Sequence, residues 1–304
     1  MLRMDNIMKV CLVVIFNHRY DNNLGKLRKI YKDRFYQIRF LMPFYNGNND
    51  DVIPVYESSY QFQGYIAQAG SSLLKVDCDY YFFIADDLIL NPVINENNLL
   101  SELGLEDGQI LFCNARTLKN MNWNITRLYE TNKLFSEKHT EFKNELMTKD
   151  EATAVFEKRG ISDFTLSYKD LIKKPGKKDY IRKYGALNLL KFLRISEMPY
   201  PLVGGYSDWF VLPKQKLEIV AEKCGVTAAM GLFCEIAIPT VILLYCENVR
   251  FIDSTPYRDG SVWTVEELLE IEQQYDKDLN KLLDEFPKDK LYIHPIKLSK
   301  WKYE

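Results

Sequence analysis

What this chain lacks narrows its function before anything it contains. No stretch approaches the roughly 20 consecutive apolar residues of a membrane-spanning helix. The longest early run, Val10 to Phe16, is too short, and no signal-peptide layout precedes it. The formal net charge is only -2, so nothing favours a nucleic-acid partner held by broad phosphate neutralisation. Six cysteines are scattered without a C-x-x-C pair, mostly in apolar segments, and read as small core residues of a reducing compartment. No glycine-rich fingerprint follows the first apolar run, which removes the dinucleotide and P-loop readings. A cytoplasmic protein is expected.

What is present is a chain of 304 residues, 47% hydrophobic and 27% charged, enough for a sizeable core. The most informative stretch is Tyr80-Tyr81-Phe82-Phe83-Ile84-Ala85-Asp86-Asp87-Leu88. An aromatic-rich apolar run reads as a strand buried on both faces, as in a mainly parallel sheet. It stops at two adjacent carboxylates, at the end of the strand where open α/β sheets place their ligands. Adjacent acids repel and lose solvation unless a cation compensates, and carboxylate oxygens suit Mg²⁺ or Mn²⁺. A helix-capping or turn pair is the bland alternative.

Strand patterns at Val10–Phe16, Ile38–Phe44 and Val52–Tyr56 surround a helical pattern about Leu24–Tyr31 and another over Ser59–Leu74. With the acid-ended strand they give β-α-β-β-α-β, an α/β fold with a Rossmann-like sheet flanked by helices. A further strand is expected at Ile110–Cys113. Charged helical patches follow from Lys119 to Arg194, with an exposed loop at Lys173–Lys178. Helices are expected from Lys214 to Cys224, opened by Pro213, and from Cys234 to Cys246. Val249–Ile252 reads as a strand, Trp263–Phe286 as an amphipathic helix or pair, and Leu291–Lys297 as a closing apolar segment. One elaborated domain is the expected organisation.

Only three histidines occur. His139 lies in a charged stretch and reads as surface. His18 follows the first strand, where a cleft would begin. His294 ends an apolar mini-strand three residues before Lys297; it is either a structural histidine or, if that tail folds back over the sheet, a further metal ligand with the Lys297 ammonium set to neutralise a phosphate. Gly204-Gly205-Tyr206-Ser207-Asp208-Trp209 is either a sugar-binding loop, with indole to stack and carboxylate to accept hydroxyls, or a turn before a core Trp. Glu235, at the start of an apolar helix, is either a first-turn charge favoured by the helix dipole or a general base.

Taken together, these features resemble the GT-A class of nucleotide-sugar-dependent glycosyltransferases. Val13-Val14-Ile15-Phe16-Asn17-His18 resembles the first strand and loop that receive the donor nucleotide. Phe82-Phe83-Ile84-Ala85-Asp86-Asp87 is similar to the acid-rich metal motif, with Ala85 where many members carry the first acid. The resemblance implies that Asp87 coordinates Mn²⁺ or Mg²⁺, and that Asp86 binds metal or ribose. It implies that His294 completes the metal site and Lys297 meets the diphosphate. Phe16, Asn17, His18 and Arg19 would contact the donor, and Gly205, Tyr206 and Trp209 the acceptor. Glu235, or failing it Asp208, would be the base. Residues 1–115 would form the nucleotide-sugar half, 116–198 a helical charged insertion, and 199–304 the acceptor half with a tail over the site.

The implied activity is hexosyl transfer from a nucleoside-diphosphate sugar, UDP favoured, to a glycan or lipid-linked hydroxyl in surface polysaccharide synthesis. A lipid-linked acceptor is compatible with peripheral membrane contact. The alternatives are a non-catalytic nucleotide-sugar or glycan-binding protein, and a sugar-phosphate nucleotidyltransferase.

Overall fold

A computed structural model describes residues 8–136, 140–195 and 197–303; His139 lies outside them. The first half opens with β1 (Val10–Ile15), α1 (Asn23–Tyr31), β2 (Gln37–Pro43), β3 (Val52–Val55), α2 (Gln63–Leu73) and β4 (Tyr80–Ala85). This is the expected order. Then come β5 (Ile89–Leu90), α3 (Leu99–Leu103), β6 (Ile110–Phe112) and β7 (Arg116–Thr117). Six short helices follow: α4 (Ile125–Ser136), α5 (Thr140–Lys143), α6 (Lys149–Lys158), α7 (Tyr168–Lys173), α8 (Lys177–Tyr184) and α9 (Ala186–Phe192). The chain returns through β8 (Val203–Gly204), β9 (Trp209–Pro213), α10 (Lys214–Ala229), α11 (Cys234–Tyr245) and β10 (Val249–Phe251). It closes with α12 (Val265–Gln274), α13 (Leu279–Asp284) and β11 (Tyr292–Ile293).

Seven strands form one sheet in the order β10-β6-β9-β4-β1-β2-β3. Every neighbouring pair is parallel except those made by β9, which runs antiparallel to both β4 and β6. The fold is therefore α/β with a mainly parallel sheet flanked by helices. All residues of β1, β4 and β9 are buried, which explains their unbroken apolar composition. Side chains alternate between faces. Tyr80, Phe82 and Ile84 join Leu24, Leu27, Leu279 and Trp301 on one side. Tyr81 and Phe83 join Ile66, Val220 and Ile242 from α2, α10 and α11 on the other. A third apolar cluster, with Leu128, Phe156, Tyr180 and Phe192, lies beneath the helical segment. All six cysteines are buried and unpaired, as core residues should be.

Two departures matter. The apolar return at Trp209–Pro213 is a central strand, and its reversed direction brings the preceding loop to the carboxyl end of β4. The strand order also reverses at β1: the chain steps outward to β2 and β3, then crosses to β4 on the other side. Ligand crevices open at such a switch point, beyond the carboxyl ends of the strands.

Phe83 is fully buried and stacks on Phe210 with ring centroids 4.5 Å apart. Phe83→Ala should cost about 3–5 kcal/mol. Urea unfolding checks this, with a lower midpoint at unchanged slope.

Candidate functional site

The parallel register sets Ile15 of β1 opposite Ala85 of β4, so the two chains leave the sheet side by side. The Asp86 amide donates to the Ile15 carbonyl at 2.9 Å, and the Asn17 amide donates to Asp86 Oδ1 at 3.3 Å. Asp86 is therefore an internal tie of the β1 loop, and only 6% of it is exposed. Burial, then the charge of Asp87, push its carboxyl up to about 7, against bonds from Asn17 and the Asn23 side chain. From the antiparallel neighbour, the Asp208 carbonyl accepts the Ala85 amide at 2.7 Å. Three acids thus meet where β1 and β4 end and β9 begins.

The tail does fold back onto this point. β11 pairs antiparallel with β5, the first strand after the acid pair, and the Ile296 amide donates to the Asp87 carbonyl at 2.6 Å. His294 Nε2 lies 3.0 Å from Asp87 Oδ1 and 4.0 Å from Asp208 Oδ2, while Nδ1 lies 2.6 Å from the Tyr206 hydroxyl. The Tyr257–Trp263 loop supports the imidazole from behind: the His294 amide donates to Gly260 and its carbonyl accepts from Val262. A Cβ on Gly260 would fall 1.4 Å from the Tyr292 carbonyl oxygen, so only glycine lets this loop lie against the tail. Burial works to lower the His294 pKa, but the bond to Asp87 and the charges of Asp87, Asp208 and Asp86 outweigh it and raise it. Asp208 is raised by burial and Asp87, partly offset by His294 and Tyr206.

Glu235 arrives from a different direction. It stands in the first turn of α11, whose sequence contains Pro239. Proline has no N–H to give the carbonyl four residues earlier, which is that of Glu235. The Gly205 amide takes the vacant place, donating to the Glu235 carbonyl at 2.9 Å. Gly205 itself has no room for a side chain, since a Cβ would lie 2.0 Å from the Asn114 carbonyl oxygen. The helix start and the Tyr206 loop are locked together by this arrangement. Burial, then the Asp208 charge, push the Glu235 carboxyl up to about 7, although Arg127 and His294 pull it down.

The Glu235 carboxyl faces a cavity of about 270 Å³ shared with Tyr206, Trp123, Trp263, Arg116 and Asp259. Trp263 is 73% exposed and meets Tyr206 edge-on at 5.8 Å. Two indoles, a phenol, carboxylates and amides around one small cavity suit a polyhydroxylated ligand with apolar faces. A larger cavity of about 490 Å³ lies beyond the edge-to-face pair of Trp123 and Phe233, where Arg127 sits over the Phe233 ring.

The other expected site residues divide. Asn17 and His18 are exposed in the loop beyond β1, and Arg19 is exposed but ion-paired with Asp21 at 2.9 Å. Lys297 is exposed, one residue past the Ile296 amide that bonds Asp87. Phe16 is fully buried against Phe40, so only its backbone borders the crevice. Trp209 corrects an expectation: it is fully buried against Phe82 and Tyr292 and cannot stack on an acceptor. Strand β9 is central, and its first side chain turns into the core. The exposed indole is Trp263, and with Trp123 and Arg116 it was not singled out from sequence. A Trp among amides (Asn120, Asn122, Asn124) was the available signal for Trp123.

Among the described residues, no group of three or more His, Cys, Asp or Glu side chains is gathered as a ready metal cage. Asp87 and Asp208 supply carboxylate oxygens of the kind that suit Mn²⁺ or Mg²⁺, and His294, now hydrogen-bonded to Asp87 at 3.0 Å, would offer an imidazole nitrogen once the proton between them leaves.

No protein-family model, curated protein or solved structure matches this chain. The geometry stands by itself.

A raised His294 pKa stabilises the fold fully below the unfolded value near 6.5, and that contribution is lost as pH rises through the folded value. In metal-free buffer the stability gap between wild type and His294→Gln should therefore shrink as pH climbs above about 6.5. Asp87→Asn should lower the His294 titration midpoint read from its imidazole NMR signal.

Proposed function

We propose that this protein is a metal-dependent glycosyltransferase of the GT-A type. It would move a hexosyl group from a nucleoside-diphosphate sugar, UDP favoured, to a hydroxyl of a glycan or lipid-linked acceptor in surface polysaccharide synthesis. One observation carries the reading. Asp86, Asp87, Asp208 and His294 converge where β1 and β4 end and the antiparallel β9 begins, next to a part-buried Glu235 that lines an indole-walled cavity.

Asp87 and His294 would hold the divalent cation, with Asp208 beside them and diphosphate oxygens completing its shell. Bound there, Mn²⁺ or Mg²⁺ supplies Lewis-acid neutralisation of the leaving diphosphate. The remaining work belongs to the chain. The exposed loop of Asn17 and His18 receives the nucleotide at the switch point, and Asp86 keeps that loop in place. Lys297 neutralises phosphate charge from the tail. Tyr206, bonded to Nδ1, sets the plane of the imidazole. In a direct displacement, Glu235 takes the acceptor hydroxyl proton as its oxygen bonds the anomeric carbon, and the carbon–phosphate oxygen bond breaks with its electrons on the diphosphate.

A carboxyl near 7 suits this role, because enough of it is ionised at neutral pH while it remains basic. Turnover should rise with pH as Glu235 ionises and fall away at lower pH, since protonated Glu235 cannot accept a proton. Glu235→Gln should lower kcat about 10²–10⁴-fold and leave donor affinity intact. Arg127→Ala removes a charge that holds Glu235 down, so it should move the rising limb to higher pH.

Calorimetric titration with UDP and GDP, in Mn²⁺ and then in EDTA, tests the donor half directly. Metal-dependent binding of one nucleotide, abolished in Asp87→Ala, is the expected result. Binding that ignores both metal and Asp87, without transfer to any acceptor, would favour the non-catalytic binding protein instead.

A further inference from the structure

The segment from Tyr168 to Arg194, helices α7 to α9, differs in charge from the rest of the molecule. It holds nine Lys and Arg against two Asp, a net charge of +7 in a chain whose total is -2, which leaves -9 for everything else. It also exposes apolar side chains: Tyr168, Ile172, Ile181, Leu187 and Leu190 all stand in solvent, Leu187 at 76% and Leu190 at 56%. These are not the helices' packing residues. Leu171, Tyr180, Leu189 and Phe192 already bury the inner faces in the third cluster, with Tyr180 and Phe192 stacked 6.3 Å apart. The exposed set is a second group of apolar side chains, spread over the three helices, that the fold leaves in water.

Within α9 and within α8, charge and apolar residues share an exposed face: Leu187, Leu190 and Lys191 follow i, i+3 and i+4, and Ile181 sits four and three residues after Lys177 and Lys178. Lys169, Lys173, Lys178, Lys191 and Arg194 are exposed and form no ion pair among the described residues. Lys174 is of another kind: it is buried and capped by the carbonyls of Leu118, Lys119 and Met121, which pins α7 to the body of the protein. The basic face is therefore mounted on a packed platform.

We propose that α7 to α9 form a docking surface for an anionic lipid bilayer. Basic side chains would sit among the headgroups, and Leu187, Leu190 and Ile181 would enter the acyl boundary. No described helix is long and apolar enough to cross a membrane, so the contact is peripheral. Aliphatic side chains beside the lysines fit lipid better than nucleic acid, which rewards aromatic stacking. Lys183, at the edge of this face, also lines the larger cavity next to Phe233. If the transferase reading holds, docking brings this cavity to the lipid surface. The bilayer contact itself does not depend on that reading.

Flotation of the full chain, without nucleotide or acceptor, tests the surface alone. The probes are vesicles of phosphatidylcholine alone and of phosphatidylcholine and phosphatidylglycerol mixed about two to one. Binding should be confined to the anionic vesicles and should fall as salt is raised. Lys173→Gln, Lys178→Gln and Lys191→Gln should each weaken it about five-fold. Leu187→Ser combined with Leu190→Ser should weaken it further at constant charge. These positions are exposed, and an unchanged melting temperature verifies that each variant is folded. Equal flotation on neutral vesicles, or a lysine triple variant that binds like wild type, overturns the proposal. Binding unaffected by the Leu pair but displaced by polyuridylate would assign the face to a soluble polyanion instead.

Discussion

The site is organised around a charge imbalance. Asp86, Asp87 and Asp208 gather around one imidazole, His294, at the end of the sheet, and Glu235 stands by Asp208 with Arg127 acting on it. Four ionised carboxyls against one imidazolium and one guanidinium would leave a net charge of about -2 in a partly buried volume, an arrangement that low dielectric penalises heavily. Burial first, and then the neighbouring acids, raise the Asp86, Asp208 and Glu235 pKa values from their ordinary positions, and His294 rises with them. A cluster poised in this way gains from any added cation, and perturbed groups gathered in a cleft are a mark of functional sites.

Backbone constraints hold that imbalance in place. Pro239 frees the Glu235 carbonyl, Gly205 occupies it, and the crowding at Gly205 and Gly260 leaves neither loop an alternative path. The tail is fixed at Asp87 through its own backbone, so His294 and Lys297 cannot shift without breaking the β5–β11 pairing. These contacts join four segments far apart in sequence, each by local geometry that needs a particular residue type.

Much of this was legible in the sequence, because its strongest signals were local. The buried strands β1 and β4 announce themselves by unbroken apolar runs, and Asp86–Asp87 mark the end of β4. The tail could be read from the Leu291–His294 apolar stretch ending at a lone histidine. Trp209 could not be assigned, since an indole after a Gly-Gly loop looks the same whether the following strand is central or exposed. What decides it is β9 pairing with both β4 and β6, a non-local fact. Trp263 and Trp123 were invisible for the same reason: the cavity they wall exists only once β7, α11 and the Tyr257–Trp263 loop are side by side. Helix α10 runs to Ala229 rather than Cys224 because it packs along α2, with Gly70 and Gly225 at their close approach.

Asp208 and Glu235 both have raised pKa values, yet they are not equivalent candidates for proton transfer. The Asp208 carboxylate lies 4.0 Å from His294 and takes a hydrogen bond from Tyr206, so its charge is already committed to the cluster. Protonating it would weaken the arrangement that positions the imidazole. The Glu235 carboxyl makes no hydrogen bond among the described residues, faces the indole-walled cavity, and feels Arg127 and His294 only through space. A proton can arrive there and leave again without disturbing any structural contact. The division follows from how each acid is mounted: Asp208 just ahead of β9, its carbonyl bonded to the Ala85 amide, and Glu235 on a helix start whose carbonyl, rather than its carboxyl, makes the anchoring bond.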